Sequence, residues 1–393
     1  MKQIYLDNSA TTQVDDSVLN AMLPYFKDEY ANAHSLHSQG QSAHNAIEDA
    51  RQVVAEFFGC HSGEIIFTSG ATESNNLAIQ GVVKNLLKQN QEIHIITSSI
   101  EHASVLEVFK NFEKNKNISV SYAPVSEQGI VDVQKLQKLI QPNTVLISVM
   151  YANNEVGSIQ PIQEIAQLVE KARKQRQEKD LPLYFHVDAV QAVNYLECNV
   201  AELGCDLMSI SGHKIYAPKG VGALFVKTDV KIKPIQYGGS QESNLRSGTS
   251  NVPCIVGLAK ALAIVNQDKK ENIQKVKKIK DKIEKELLKF ENVRLNGAGE
   301  NQLPNIINVS FKNAEGESIL MLLDMEGIAV STGSACASGA LEPSHVLTAM
   351  GVEPQWAHGS IRISLGKYNS EVEVPVLIKA LEKTIKKLRD IAP

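Results

Sequence analysis

The sequence has no long apolar run, little cysteine and no excess of one charge, and each absence excludes a class of protein. No window approaches the run of about 18 apolar residues that a membrane-spanning helix needs, so no membrane association is expected. The first residues, MKQIYLD, lack the apolar stretch of a signal peptide. A formal net charge of −4, with 21% charged residues, argues against a nucleic-acid-binding or disordered chain.

The cysteines are few and form no C-x-x-C pair. They are Cys60, Cys198, Cys205, Cys254 and Cys336. An odd number without paired spacing argues against a disulfide framework and predicts a reducing, cytoplasmic location. Cys336 differs from the others because residues 331–339, STGSACASG, are small and polar. It has little to pack against there, so it is a candidate for an exposed, nucleophilic thiol.

The length of 393 residues and the 43% hydrophobic content allow a large core and predict two domains. Strand-like apolar runs alternate with helical stretches such as 162–176 through the first two-thirds of the chain. The runs lie at 64–68, 93–97, 144–149 and 183–187. This alternation predicts an α/β fold with a mostly parallel sheet covered by helices on both faces. Ligands bind such sheets beyond the carboxyl ends of the strands.

The character of the sequence changes near residue 260. Residues 268–290 are rich in lysine and glutamate, and their apolar residues recur at helical spacing. Since acidic residues interleave the lysines, we interpret this stretch as a solvated helix of a second, smaller domain rather than a nucleic-acid-binding element.

Residues 70–75, GATESN, follow a predicted strand and open a predicted helix. The free N–H groups of a helix N-terminus favour a phosphate, and Thr72 adds a hydroxyl donor. An ordinary helix cap is the alternative. The chain has neither G-x-G-x-x-G nor G-x-x-x-x-G-K-[ST], so dinucleotide and P-loop sites lose support.

Asp188 ends an apolar run, with Gln191 three residues further on. A carboxylate at this position can pair with the pyridinium nitrogen of an electron-sink cofactor, and Gln191 can donate to a ring oxygen. Taken alone, a helix-capping aspartate is equally compatible with the pattern.

Lys214, in the run SGHK at 211–214, follows the apolar run 207–210. A buried lysine with a lowered pKa can form an imine, although a lysine after histidine is usually a surface residue. Ser211 and His213 are candidate phosphate ligands beside it. His102 follows another strand, where an imidazole can stack on an aromatic cofactor or transfer protons, or be a structural histidine.

Arg362 lies in the apolar run SIRISLG at 360–366. A buried arginine needs an anionic partner, and this is either a bound carboxylate or a structural salt bridge. The clustered His34, His37 and His44 match no zinc-binding spacing, so no metal site is expected.

Together these stretches resemble the cysteine desulfurases of the NifS/IscS type, within the class-V aminotransferases of the fold-type-I pyridoxal 5'-phosphate (PLP) enzymes. The resemblance runs from end to end, and the order and spacing of its parts make it specific. Its parts are YLDNSATT at 5–12, GATESN at 70–75, NNEVG at 153–157, HVDAVQ at 186–191, SGHK at 211–214, RSGT at 246–249 and the Cys336 loop.

The resemblance implies a role for each matching residue. Lys214 is the Schiff-base lysine, Asp188 pairs with the pyridine nitrogen and His102 stacks on the ring. Cys336 is the nucleophile that becomes a persulfide. Arg362 binds the substrate carboxylate, and Gln191 and Asn154 contact the ring hydroxyl or the substrate. The phosphate is bound by Ala71, Thr72, Ser211 and His213, joined by Thr249 from a second subunit.

The same resemblance implies the architecture and partners. A large PLP domain with a seven-stranded, mostly parallel sheet spans 14–262, and a smaller α+β domain comprises 1–13 and 263–393. The expected enzyme is a homodimer that converts L-cysteine to L-alanine and passes sulfur to acceptors such as an iron–sulfur scaffold. The long S-x-G-S-A-C loop is similar to the first group of these enzymes. Residues 31, 33 and 34 and Lys367 depart from the family pattern.

Two other functions are compatible with parts of this pattern. An aminotransferase of the same fold would use Lys214, Asp188 and Arg362 but would not need Cys336, and it would form a keto acid. A scaffold that binds a sulfur carrier without catalysis would need none of these residues. The sulfur acceptor, whether for iron–sulfur assembly or tRNA thiolation, is open at this point.

Overall fold

The computed structural model describes residues 3–87, 91–177, 180–297, 299–332 and 343–391. The strands in these ranges are β1 (Ile4–Tyr5), β2 (Ile65–Thr68), β3 (Ile93–Ser98), β4 (Ile118–Ala123), β5 (Thr144–Met150), β6 (Tyr184–Asp188), β7 (Leu207–Ser211), β8 (Gly222–Val226), β9 (Val293–Asn296), β10 (Ile306–Phe311), β11 (Ile328–Ala329) and β12 (Ser360–Ser364).

Helices connect these strands and cover the sheet. The described helices are α1 (Asp16–Met22), α2 (Pro24–Lys27), α3 (Ser38–Phe58), α4 (Ala71–Leu86), α5 (Ala103–Phe112), α6 (Val133–Leu139), α7 (Ile162–Lys174), α8 (Val200–Leu203), α9 (Val252–Leu287), α10 (Gly316–Met325), α11 (His345–Ala349), α12 (Pro354–Ala357) and α13 (Glu373–Ile391). None of them is both long and apolar enough to cross a membrane.

The large sheet has seven strands in the order β2-β8-β7-β6-β5-β3-β4. Strand β8 runs antiparallel to both of its neighbours, and the other pairs are parallel. The predicted fold class, with a mostly parallel seven-stranded sheet, is therefore confirmed. The predicted strands all exist, with ends that differ from the prediction by one residue at most.

Both faces of the large sheet are buried. Successive side chains of a strand point to opposite faces, so Leu224 packs in one apolar cluster and Phe225 in the other. Because both faces are covered, the polar residues that follow the strands lie at the edge of the sheet where the parallel strands end.

The last third of the chain builds a smaller sheet, β12-β10-β9, packed against α13. The N-terminal β1 pairs with β11, so both ends of the chain contribute to this region.

Helix α9 runs through the change in sequence character that suggested a domain boundary. Asn251 caps it through the backbone N–H of Cys254, and it continues without a break to Leu287. Its first half packs on the core of the large sheet and its second half on the core of the small one. The lysine-rich helix expected at 268–290 is thus the second half of a longer helix, and the domain division stays a prediction.

The buried strand β7 gives a test of the packing. Leu207 is fully buried, and Leu207→Ala is expected to lower the free energy of unfolding by about 2–5 kcal/mol through lost burial and the cavity that remains. Urea unfolding followed by circular dichroism measures this change. Leu288→Ala, at a position that is 61% exposed, is the matched control and should change the midpoint little. Equal shifts in the two variants would contradict the assigned core.

Candidate functional site

The site lies at the carboxyl ends of the parallel strands, where Asp188 ends β6. Asp188 is buried, and its carboxylate accepts hydrogen bonds from Asn75 Nδ2 at 2.7 Å and from the backbone N–H of Val190 at 3.0 Å. Asn75 lies on α4 and also donates to Ser104 Oγ at 2.9 Å. Two donors, one on α4 and one in the turn after β6, therefore fix this buried carboxylate, and Ser104 on α5 holds Asn75 in turn.

His102 stands directly before α5 and caps it. Its Nδ1 accepts from the backbone N–H of Ser104 at 3.1 Å. Burial lowers the pKa of the His102 imidazole, the Asp188 carboxylate raises it, and the Lys214 ammonium lowers it. The ring is therefore within electrostatic reach of both residues. The structure therefore brings together His102, Asp188 and Lys214, three candidates from separate segments of the sequence.

Lys214 ends the short turn that follows β7. Its Nζ donates to the backbone carbonyls of Ser9 at 2.5 Å and Ala10 at 2.7 Å, and its own carbonyl accepts from Asn194 at 2.8 Å. Two residues later, Tyr216 has a φ of 66°, a left-handed conformation that is strained for a tyrosine. This turn is thus held in a fixed form against the N-terminal segment.

The N-terminus of α4 closely approaches the start of β8. Gly70, with a φ of 148°, precedes Ala71 and Thr72. A Cβ on Gly222 would lie 2.8 Å from the Gly70 Cα, so only glycine permits this approach. A Cβ on Gly70 would lie 3.8 Å from Ser211 Oγ, which brings that hydroxyl close to the helix N-terminus.

His213 and Gln191 also meet the N-terminal segment. His213 Nδ1 lies 3.2 Å from Thr11 Oγ1, and Gln191 Nε2 donates to the Ser9 carbonyl at 3.1 Å. Burial, reinforced by the Lys214 charge, lowers the pKa of His213 to about 4. His213 is therefore a neutral hydrogen-bonding group at neutral pH.

Arg362, in the middle of β12, is buried. Its Nη1 donates to the Asn154 carbonyl at 3.0 Å, and its Nη2 pairs with Asp7 Oδ1 at 2.8 Å. Its buried Nε has no hydrogen-bond partner among the described residues. The guanidinium thus retains donor capacity beyond its structural contacts.

Two predicted residues are not joined to this cluster. Thr249 is exposed on the loop after β8 and makes no hydrogen bond to the other candidates in the described part of the chain. Cys336 lies outside the described residues.

Sequence reasoning missed several buried polar groups. Asn75 belongs to the GATESN stretch at 70–75, and its position one helical turn after Ala71 is the signal that marks it. Glu101 and Glu155 are both fully buried next to predicted residues. Burial raises the pKa of Glu155 to about 7, while Ser344 and Arg362 act in the opposite direction. No local pattern marks such carboxyl groups as buried.

The sequence matches the model of the aminotransferase class-V family over residues 4–377. A cysteine desulfurase IscS of Dictyoglomus turgidum is 47% identical over 395 aligned positions, which cover 100% of this chain and 97% of that protein. The chain belongs to the cysteine desulfurases of the class-V aminotransferase family. The resemblance inferred from the motifs is confirmed.

Solved structures agree with this family. A NifS-like protein has 38% identity and a TM-score of 0.88, with 99% of each chain covered. A structure described as SspA in complex with cysteine has 34% identity and a TM-score of 0.79, and the match covers 94% of this chain and 100% of that one. Enzymes of this family use PLP.

The described residues fit that cofactor on structural grounds. A helix N-terminus beside a serine hydroxyl suits a phosphate, and a buried carboxylate held by Asn75 suits a protonated ring nitrogen. Two buried polar atoms, Asn75 Oδ1 and Arg362 Nε, have no hydrogen-bond partner among the described residues. Both can still form a hydrogen bond with a bound ligand.

Burial of Glu101 makes the stability of the folded chain depend on pH. Its Oε1 accepts from Ser98 Oγ at 2.5 Å and from the backbone N–H of Met150 at 2.9 Å. Burial nevertheless raises its pKa from 4.5 to about 8. Between these values the folded chain binds a proton that the unfolded chain does not, so the free energy of unfolding falls as the pH rises through this window.

Glu101→Gln removes this titration while it keeps a neutral side chain of similar size. The variant is expected to lose less thermal stability between pH 5.5 and 8 than the wild type, as measured by the unfolding midpoint. Because Glu155 titrates in the same window, some pH dependence should remain. Glu127→Gln at an exposed position is the control. A pH dependence unchanged from that of the wild type would contradict a protonated Glu101.

Proposed function

We propose that this chain removes sulfur from L-cysteine, releases L-alanine and carries the sulfur as a persulfide on Cys336. An acceptor protein, such as a scaffold for iron–sulfur clusters, then takes the sulfur. The observation that carries the proposal is the convergence of Lys214, Asp188 and His102 at one edge of the sheet in a member of this family. Neither a sulfur-carrier scaffold nor a structural role requires that combination.

PLP would be held by groups from several elements. The backbone N–H groups of Ala71 and Thr72, with Ser211 and His213, would bind its phosphate, and Asp188 would pair with its ring nitrogen. Lys214 would link to it covalently, while Gln191 and Asn154 would contact the ring hydroxyl or the substrate. Bound in this way, the cofactor supplies an electron sink for negative charge at the substrate α-carbon.

The chain's own residues then move protons. The Lys214 amine takes the substrate α-proton from one side and returns a proton later in the reaction. Because burial lowers the pKa of His102, its imidazole is neutral near pH 7 and can accept the proton of the substrate thiol. The Ser9 and Ala10 carbonyls keep the Lys214 side chain oriented between these steps.

Arg362 would bind the substrate carboxylate through the donors left over from its structural contacts. The Cys336 thiolate then attacks the substrate sulfur, so that an S–S bond forms as the substrate C–S bond breaks. The electron pair of the C–S bond stays with the carbon skeleton, which takes up protons and leaves as alanine. No external oxidant or reductant is required.

A homodimer and a cytoplasmic location are parts of the same proposal. Thr249 is exposed, and Tyr237, near it in sequence, is 78% exposed. Large exposed aromatic residues are common in protein interfaces, and a second subunit would give Thr249 a phosphate to bind.

Replacing Lys214 tests the proposed role of the lysine. Lys214→Ala should lose the visible absorbance of the lysine-bound cofactor and lower the rate of alanine formation from cysteine by at least about a hundredfold, because both the linkage and the proton acceptor are removed. Lys260→Ala, on the exposed face of α9, is the control. Borohydride reduction followed by peptide mass spectrometry should locate the cofactor on Lys214, and its attachment to another lysine would refute the assignment.

Replacing Cys336 separates desulfuration from transamination. Cys336→Ser should keep the cofactor absorbance but lose alanine formation, because a serine hydroxyl cannot attack sulfur as a thiolate does. After incubation with cysteine, mass spectrometry should find one added sulfur atom on Cys336 in the wild type, and Cys254→Ser should retain it. Normal alanine release by Cys336→Ser would exclude this nucleophile. Formation of a keto acid by the wild type would favour an aminotransferase.

A further inference from the structure

Among the described residues, Asp7 supplies the carboxylate that pairs directly with Arg362. Its Oδ1 lies 2.8 Å from Nη2 of the arginine, whose side chain is only 7% exposed. The two residues are 355 positions apart in the sequence. The pair neutralises much of the charge with which Arg362 would attract a substrate carboxylate.

The backbone on both sides of Asp7 is fixed to the strand that carries Arg362. The Ser364 N–H donates to the Leu6 carbonyl at 2.7 Å, and the Asn8 N–H donates to the Ser364 carbonyl at 3.2 Å. The Leu6 N–H also donates to the Ala329 carbonyl at 2.8 Å. The contact between Asp7 and Arg362 is therefore set by strand pairing and not by a mobile surface side chain.

A second support holds the guanidinium independently of Asp7. Arg362 Nη1 donates to the Asn154 carbonyl, and the Arg362 backbone exchanges two hydrogen bonds with Ser331 at 2.7 and 3.1 Å. Removing the charge of Asp7 while keeping its oxygen should thus leave the orientation of Arg362 unchanged. The function of Asp7 can then be separated from simple positioning.

We propose that Asp7 limits the strength with which Arg362 holds a carboxylate. The proposal rests on the proposed function, in which Arg362 binds the substrate. L-cysteine and L-alanine carry the same carboxylate, so an uncompensated, buried arginine would hold substrate and product alike too tightly. A fixed carboxylate on the same guanidinium weakens both complexes, because two anions that share one cation repel each other.

The test measures binding to the PLP-loaded enzyme without turnover. The probe is β-mercaptopropionate, which is cysteine without its amino group, and the matched neutral probe is its amide. Calorimetry should find that Asp7→Asn binds the acid about tenfold more tightly than the wild type and binds the amide equally well. Asp324→Asn, an exposed position on α10, makes the same charge change and should affect neither probe.

Kinetics provide the second readout. Asp7→Asn should lower the KM for cysteine without raising kcat, which is the pattern for a change in uniform binding. The effect of Asp7→Asn on acid binding should vanish in the Arg362→Gln background. Equal changes for acid and amide, or weaker acid binding, would overturn the role of Asp7.

The outcomes separate this inference from the proposed function. If the wild type forms no alanine from cysteine, the proposed function fails whatever the calorimetry shows. If the wild type is active but Asp7→Asn does not distinguish the acid from the amide, only the inference about Asp7 fails. Should Asp7→Asn not fold, as judged by circular dichroism, Asp7→Ser repeats the loss of charge with a smaller side chain and must show the same selectivity.

Discussion

The site depends on the hydrogen bonds of residues 7–12, which join the turn after β7 to strand β12. On one side, the Thr12 N–H donates to the His213 carbonyl at 2.9 Å, and Thr12 Oγ1 accepts from the Tyr216 N–H at 2.8 Å. On the other side, the Ser9 N–H donates to Ser364 Oγ at 2.9 Å. This one segment therefore sets the turn that carries Lys214 and the strand that carries Arg362 relative to each other. Its backbone carbonyls also orient the lysine side chain directly.

Much of the fold and part of the site follow from local patterns in the sequence. Most strands of the large sheet are apolar runs, although the edge strand β4 alternates apolar and polar residues. Asp188 and Lys214 stand where such apolar runs end, so a sheet-edge site was predictable. The contacts of Ser9 and Asp7 were not, because each joins residues about 200 or more positions apart. Hydrophobic periodicity reports only near neighbours. The continuity of helix α9 was not predictable for a related reason. A change from apolar to charged composition occurs where a helix passes from one core to another, and also where a domain ends, so composition alone does not distinguish the two.

Several titratable side chains in the site are shifted toward their uncharged forms. Burial lowers the pKa values of His102 and His213 and raises those of Glu101 and Glu155, so all four groups are shifted toward their uncharged forms. Asp188, in contrast, accepts hydrogen bonds from Asn75 and from the Val190 N–H. In this setting the field around the reacting atoms comes from a small number of residues that the backbone holds in place, so solvent screens it little.

Helix α9 has a mechanical consequence. At the usual rise per residue, its 36 residues form a rod of about 54 Å that is embedded at one end in the large core and at the other in the small core. A rod shared in this way transmits torque, because neither core can rotate about the axis of the helix unless the other follows or the helix twists. Strain applied at the surface of the small sheet, for example by a docking protein, would therefore reach the large sheet through the backbone itself.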